Sequence, residues 1–230
     1  MKKKESKNNK YIDDLKRFWR YIWYDDSFGS YILNFILAFI IIKFIFFPAL
    51  GFLLNNSYPV VAIVSGSMEH KIVENRVCDK YVVDENYKKL DFNSWWNLCG
   101  EYYKKFNISQ KSFEEFKYKN GLNIGDVMVL YGKKPKDINV GDVLVFIPQD
   151  RNFFETKGPV IHRVINIWQD EQETYHFRTK GDHNPQSFEG FENDISEENV
   201  IGVGVIRIPY IGFAKIVLSN TIGKILQIIN

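Results

Sequence analysis

Residues 60–69 read VVAIVSGSME, and this stretch decides how the rest of the chain is interpreted. The β-branched run VVAIV is typical of a short buried strand, and Ser65-Gly66-Ser67 is typical of the tight turn that ends it. A serine on such a turn is held by the backbone, as a nucleophile requires, and the glycine beside it lets another backbone approach closely. Ser67 is therefore a candidate nucleophile, although Ser-Gly-Ser by itself fits an ordinary polar turn better.

The composition gives no sign of a nucleic-acid partner. The 230 residues contain 30 Lys and Arg against 28 Asp and Glu, for a formal net charge of +2. We expect a chain of this length to form one or two domains. The cations are unevenly placed, because many fall in the first twenty residues, namely Lys2, Lys3, Lys4, Lys7, Lys10, Lys16, Arg17 and Arg20.

A long apolar run follows at residues 31–54, with Asn34 and Lys43 as its polar members. As a helix it spans about 36 Å, enough to cross a hydrocarbon core of about 30 Å. Lys43 opposes insertion by about 3 kcal/mol, which the apolar remainder outweighs. We predict a transmembrane helix over residues 30–54 with the basic segment 1–29 in the cytoplasm. The run is longer than the apolar part of a cleaved secretory signal; a buried helix of a soluble protein is the alternative.

Residues 55–208 are predicted to form a mainly β domain outside the membrane. Two near-copies, residues 125–130 (GDVMVL) and 141–146 (GDVLVF), each read as a Gly-Asp turn that leads into a buried strand. Further strand-like runs lie at 159–165, 176–180 and 200–206. This spacing predicts a small antiparallel β-barrel or sandwich.

Residues 84–121 are rich in Lys, Glu, Asn and aromatic residues, and we predict a partly helical insertion whose aromatic side chains form a small core of their own. Within it, residues 112–115 (SFEE) look like a capping box that opens a short helix. Cys78 and Cys99 lie outside the membrane, where a disulfide is chemically allowed, but two cysteines alone leave the pairing open. Residues 209–230 are predicted to form a membrane-associated amphipathic helix, with a second span as the alternative.

The polar residues of the β domain include the parts of a Ser-His-Asp hydrolase. These are Ser67 on its turn, His162 inside an apolar strand and Asp182 in a later turn. In such an enzyme the histidine takes the serine proton and the carboxylate fixes the histidine tautomer. The other histidines, at positions 70, 176 and 183, lack metal-ligand spacing, so neither a metal nor a cofactor is predicted.

Several short segments occur in an order that resembles a known family. They are residues 65–69 (SGSME), 141–146 (GDVLVF), 162–164 (HRV), 179–182 (TKGD) and 208–212 (IPYIG). In this order the chain is similar to type I signal peptidases of the archaeal and endoplasmic-reticulum type, and the N-terminal anchor fits as well. The resemblance covers most of residues 58–212 outside the insertion.

The resemblance implies roles for individual residues. Ser67 would be the nucleophile, and His162 would be the general base at the place where the bacterial branch of the family uses lysine. The Ser65 hydroxyl and the backbone N–H of Ser67 would be oxyanion donors. A structural turn hydroxyl is an equally good interpretation of Ser65.

The chain departs from the family in its carboxylates and in one turn. The family usually has a second aspartate shortly after the one that corresponds to Asp182, and Phe188 stands at that position here. Glu189 and Asp194 are the nearby alternatives, and counting back from the last strand favours Asp194. His70 replaces a common proline, which is expected to change only the turn.

The function implied by the resemblance is that of a membrane-bound serine endopeptidase that removes signal peptides from exported preproteins after small residues, through an acyl-enzyme. The implied partners are preprotein signal peptides, the lipid membrane and the secretion translocon, and the implied location is the cell membrane. Two alternatives stay open. One is a related Ser–Lys self-cleaving peptidase, against which the histidine at position 162 and the membrane anchor both count. The other is a membrane-anchored binding module without catalysis.

Overall fold

The computed structural model describes residues 7–83, 87–148, 158–213 and 217, and the chain divides into two compact units, Met1–Leu53 and Leu54–Asn230. The first unit is helical. Helix α1 (Lys7–Tyr24) is followed by a continuous helical stretch of 26 residues, Phe28–Leu53, whose length and apolar composition suffice to cross a membrane. That stretch comprises α2 (Phe28–Ile41), a π-helical turn (Ile42–Phe46) and α3 (Phe47–Leu53). The predicted N-terminal apolar helix is thus present.

The π-helical turn contains Lys43, the residue that opposes membrane insertion. Pro48 lies just beyond the turn and lacks an N–H, so an α-helical hydrogen bond is lost in this region, and π-turns are one way a helix adapts. The ammonium group of Lys43 lies 5.7 and 5.3 Å from the ring centroids of Phe39 and Phe44. Aromatic faces attract cations, so this lysine has local partners within the apolar helix.

The second unit is built on one antiparallel sheet of seven strands, curled into a half-barrel. In chain order its strands are β1 (Val60–Ala62), β4 (Val127–Tyr131), β5 (Val143–Phe146), β6 (Val160–Gln169), β7 (Tyr175–Lys180), β8 (Ile195–Ser196) and β9 (Val200–Ile208); β2 (Arg76–Val77) and β3 (Lys80–Tyr81) form a separate hairpin. The spatial order is β1-β4-β9-β5-β6-β7-β8. The prediction of a mainly β, antiparallel domain is confirmed.

The two Gly-Asp segments form the same turn. Gly125 and Gly141 both have positive φ angles, +86° and +96°, which explains why glycine is needed there. In each copy the aspartate accepts a hydrogen bond from the backbone N–H three residues earlier, at 2.7 Å for Asp126 and 3.0 Å for Asp142. The two turns therefore lead into β4 and β5 with the same backbone conformation.

The insertion is helical, as the sequence predicts, with α4 (Phe92–Lys104) and α5 (Gln110–Glu114). Its aromatic residues do not form a separate core, because Trp95, Trp96, Tyr103 and Phe113 belong to one buried cluster with Ile72, Val77, Cys78 and Ile165 from outside the insertion. The short helix begins earlier than the capping box indicates, because Ser109 rather than Ser112 is the N-cap and accepts the N–H of residue 112 at 3.1 Å.

A disulfide joins the insertion to the β2–β3 hairpin. Cys78 follows β2, Cys99 lies on α4, and their Cα atoms are 5.5 Å apart. Closing a loop of this size restricts the unfolded chain and typically adds about 3 kcal/mol of stability. The C-terminal helix predicted for residues 209–230 lies largely outside the described residues.

Candidate active site

Ser67, in the turn after β1, and His162, on β6, lie side by side. The Nε2 atom of His162 is 2.9 Å from the Ser67 Oγ. Ser67 sits in the turn after β1, which the N–H of Glu69 closes by donating to the carbonyl of Gly66 at 2.9 Å. The next side chain, Met68, is fully buried and fixes the turn to the core. The serine is thus half-exposed on a rigid turn, with an imidazole nitrogen within hydrogen-bond reach.

The second imidazole nitrogen of His162 faces a buried carboxylate, Glu192. The Nδ1 atom forms a short hydrogen bond with Oε1 of this glutamate. Glu192 is itself held by the backbone N–H of Phe188, 2.7 Å from Oε2, and by the hydroxyl of Thr179, 3.3 Å from Oε1. A carboxylate accepts from Nδ1–H, so this contact favours the tautomer that leaves Nε2 free to accept the serine proton.

The chain Ser67–His162–Glu192 has the connectivity of a nucleophile, a base and a group that orients the base. Sequence analysis did not single out Glu192. In the family the second carboxylate follows the first after a shorter loop, whereas Glu192 lies ten positions after Asp182. The sequence holds no local signal that separates Glu192 from Glu189 and Asp194, because only the packing of the neighbouring Phe191 against the core shows which carboxylate is buried.

The predicted carboxylates Asp182 and Asp194 have other partners. Asp182 is fully buried and forms two hydrogen bonds with Arg163, at 2.9 and 2.6 Å. Asp194 accepts from the Nδ1 atom of His176 at 2.6 Å. Glu189, the remaining alternative, lies exposed in the turn between them.

Ser65 lies next to the nucleophile candidate. Its hydroxyl oxygen is 3.2 Å from the Ser67 Oγ, and its side chain is exposed. That position leaves the hydroxyl able to turn toward a substrate carbonyl or to stay bonded to Ser67. The geometry is compatible with both of the roles that the sequence leaves open.

Behind the serine–histidine pair lies a buried cluster of charged groups centred on Asp182. The hydroxyl of Tyr103 donates to Asp182 Oδ1 at 2.7 Å, and the His70 Nε2 atom is 3.3 Å from Oδ2. Burial opposes the charge on Asp182, but the charges and hydrogen bonds of Arg163 and His70 together outweigh it and hold the pKa of this carboxyl well below its usual range. Burial, and after it the charge of Asp182, raises the pKa of Tyr103 well above its ordinary value.

The two cations of this cluster are also fully buried. Arg163 donates to the backbone carbonyls of Lys117 and Gly141 at 3.0 and 3.1 Å, so it joins the insertion to a Gly-Asp turn. Lys180 lies opposite Arg163 in the β6–β7 register and donates to the carbonyl of Gly181 at 3.0 Å. Burial lowers the pKa of Lys180 to about 8, against the opposing charges of Asp182 and then Glu192.

The turn at residues 181–183 connects this cluster to the nucleophile. The backbone N–H of His183 donates to the carbonyl of Ser67 at 2.8 Å, and the indole N–H of Trp95 donates to the carbonyl of Asp182 at 3.3 Å. Gly181 leaves no room for a side chain, since a Cβ there would lie 2.8 Å from both His162 Nε2 and the Ser67 carbonyl oxygen. The turn therefore packs directly against the reactive pair.

A metal-binding role finds no support in the described part of the chain, where no group of three or more His, Cys, Asp or Glu residues is placed to hold an ion. The side chains at the site are those of acid–base and nucleophilic chemistry. The Ser67 hydroxyl can add to a carbonyl, and His162 can carry its proton.

Comparison with known proteins gives one consistent match. The chain is similar to the signal peptidase complex catalytic subunit SEC11C of human, dog and mouse, with 27% identity over 100 residues, which is 42% of this chain and 50% of each relative. It thus spans about half the length of the curated relatives it matches. No family model matches the chain. In both this similarity and the order of its motifs, the chain resembles the catalytic subunits of endoplasmic-reticulum-type signal peptidases.

Proposed function

We propose that this protein is a membrane-bound serine endopeptidase that cleaves signal peptides from exported preproteins after small residues. The observation that carries the proposal is the continuous chain of contacts from Ser67 through His162 to the buried Glu192. The similarity to signal peptidase catalytic subunits supports the choice of substrate class.

In the proposed reaction the Ser67 Oγ attacks the scissile carbonyl while His162 Nε2 takes the hydroxyl proton. The tetrahedral oxyanion is stabilised by the backbone N–H of Ser67 and by the Ser65 hydroxyl, which is near enough to turn toward it. His162 then gives its proton to the leaving amine, and the C–N bond breaks to leave an acyl-enzyme on Ser67. Water, deprotonated by the same imidazole, hydrolyses the ester and restores the serine.

Glu192 keeps His162 in the productive tautomer and offsets the positive charge that the imidazole acquires. Asp182 has a different task in this proposal. It neutralises Arg163 and holds the 181–183 turn against Ser67, so it is a positioning residue rather than a proton carrier. Asp194, which binds His176, is assigned no part in the chemistry.

The proposed substrate would reach the site from the bilayer. Ser67 follows the apolar segment by 13 residues, 54 to 67, so the chain length keeps the nucleophile near the outer membrane surface. We place the N-terminus in the cytoplasm and the catalytic domain outside the cell membrane, following the basic flank. Preprotein signal peptides and lipid are the proposed partners, with the secretion translocon as their source; a larger peptidase complex is an additional proposal suggested by the name of the relatives.

The test is cleavage of a model preprotein by the full-length protein in liposomes. Wild type is expected to cut after a small residue, and Ser67→Ala and His162→Ala are each expected to lower the rate by several orders of magnitude. Ser57→Ala is the matched control, because it removes an exposed serine hydroxyl that lies ten positions before the nucleophile and outside the site. If wild type is inert, or Ser67→Ala cuts equally well, the peptidase proposal is wrong and a binding module takes its place.

A further inference from the structure

Helix α1 (Lys7–Tyr24) has two sharply different faces. Side chains at spacings of three and four residues share one side of a helix. On one side lie seven apolar or aromatic residues: Tyr11, Ile12, Leu15, Phe18, Trp19, Ile22 and Trp23. The opposite side carries charged residues, namely Lys10, Asp13, Arg17 and Arg20. The helix is therefore amphipathic from residue 10 to residue 23.

The apolar face is exposed except at Ile22, which is buried. Tyr11 and Leu15 are each 70% exposed, and Trp19 and Trp23 are 59% and 58% exposed. A stripe of this size needs a partner, since soluble surfaces rarely leave such patches uncovered. Its composition, with tryptophans on the apolar side and Lys and Arg on the other, is that of helices that lie in a membrane interface.

A polar corner ties this helix to the base of the apolar helix. The hydroxyl of Ser30 donates to the carbonyls of Tyr21 and Ile22, at 2.9 and 3.1 Å, and the Asn34 side-chain amide donates to the Ile22 carbonyl at 2.7 Å. The carbonyls at a helix end lack partners within the helix, so these bonds close the end of α1. They also account for the polar side chain of Asn34 near the start of the apolar segment. The short link at residues 25–27 then keeps α1 at the level where the apolar helix begins.

We propose that α1 lies in the plane of the membrane interface and binds anionic lipid, with its apolar face among the acyl chains and its basic face among the headgroups. The charge supports anionic lipid as the partner: five cations, Lys7, Lys10, Lys16, Arg17 and Arg20, stand against two aspartates. Basic residues beside a membrane are drawn to anionic headgroups. A second copy of α1 is a poorer partner, because the two basic flanks would repel each other.

The proposal is independent of the peptidase activity and is tested on the full-length protein in nanodiscs. An environment-sensitive fluorophore is attached to a single introduced cysteine, which is practical because the described residues contain no free cysteine. Leu15→Cys reports on the apolar face and Arg17→Cys on the basic face, both at exposed positions. Phe35→Cys, on the apolar helix, reports separately on whether that helix is in the bilayer.

We expect the label at position 15 to emit at shorter wavelength and to be quenched by spin-labelled lipid, as at position 35, while the label at position 17 remains in water. Adding phosphatidylglycerol to phosphatidylcholine should increase quenching at position 15 several-fold. The double variant Arg17→Gln/Arg20→Gln, measured with the label at position 15, should remove this dependence on anionic lipid. The matched control Lys134→Gln/Lys136→Gln removes the same charge from the other unit and should keep the dependence unchanged. The proposal would be overturned if the labels at positions 15 and 17 emitted at the same wavelength while the label at position 35 was in lipid. It would also be overturned if quenching at position 15 did not change with the content of anionic lipid.

Discussion

Replacing Glu192 with glutamine is the sharpest test of the proposed mechanism, because the change keeps the shape of the side chain, removes its charge and turns one acceptor oxygen into a donor. One carboxylate oxygen accepts the N–H of Phe188, and the other faces His162 and the hydroxyl of Thr179. The amide oxygen of glutamine must stay on the Phe188 N–H, since a nitrogen there would oppose a donor with a donor. The amide NH₂ then faces His162 Nδ1 and donates to it.

That single exchange reverses the imidazole tautomer. With Nδ1 acting as an acceptor, the proton of neutral His162 sits on Nε2, which then cannot accept the Ser67 proton. A carboxylate-to-amide change of this kind in a serine triad lowers kcat by about 10⁴-fold, equivalent to about 5 kcal/mol in the barrier. We expect a loss of that order here, with folding retained because the amide keeps the bond to Phe188 and still pairs with His162.

The assay is kcat and KM for cleavage of a model preprotein in detergent, alongside the thermal midpoint of each variant. Asp194→Asn is the matched control, since this aspartate is also paired with a histidine, His176, but its side chain is 66% exposed. The control is expected to stay within a few-fold of wild type. A Glu192→Gln enzyme within tenfold of wild type, or an Asp194→Asn enzyme that has lost as much activity, would refute the assignment of Glu192.

Three further predictions concern the surroundings of the reactive pair. Tyr103→Phe removes a donor from the buried carboxylate of Asp182, so we expect about 1–3 kcal/mol of lost stability in chemical denaturation and a lower kcat at unchanged KM; an unchanged unfolding midpoint would contradict this. Gly181→Ala places a methyl group against His162 Nε2, and kcat should fall at least tenfold with near-native circular dichroism; full activity would show that the turn does not hold the reactive pair in place. Lys180 has its pKa lowered to about 8, so the cost of burying its charge is present below pH 8 and disappears toward pH 10.5. The thermal midpoint of wild type relative to Lys180→Met should therefore rise over that interval, and a flat difference would show that the lysine does not titrate there.

The strands and the reactive pair could be predicted because their signals are local. The β-branched run before Ser67 and the apolar run around His162 mark buried strands directly, and the Gly-Asp turns indicate β4 and β5. Resemblance to a family then joined the two residues, which stand 95 positions apart. The separation in sequence alone gives no indication that the two side chains are in contact.

Glu192 could not be predicted in the same way, because its role depends on a loop whose length differs from the family pattern. No local sequence feature distinguishes Glu192 from Glu189 or Asp194. The three differ in burial, which depends on how the neighbouring Phe191 packs into the core. One of the partners of Asp182, Tyr103, was equally hidden. Tyr103 belongs to the insertion, 79 residues away, and its contact exists only after α4 has docked.

His162 and Arg163 are neighbours on β6, and a strand directs neighbouring side chains to opposite faces. His162 shares its face with Val164, while Arg163 shares the other with Ile161 and Ile165. Loss of one residue at the start of β6, taken up by slippage of the strand, would exchange the two faces and bring a guanidinium to the serine. Insertions or deletions at residues 158–161 are therefore expected to abolish activity. They should be tolerated at the far hairpin, residues 170–174, because the bulge after Val164 already separates that end from the reactive register.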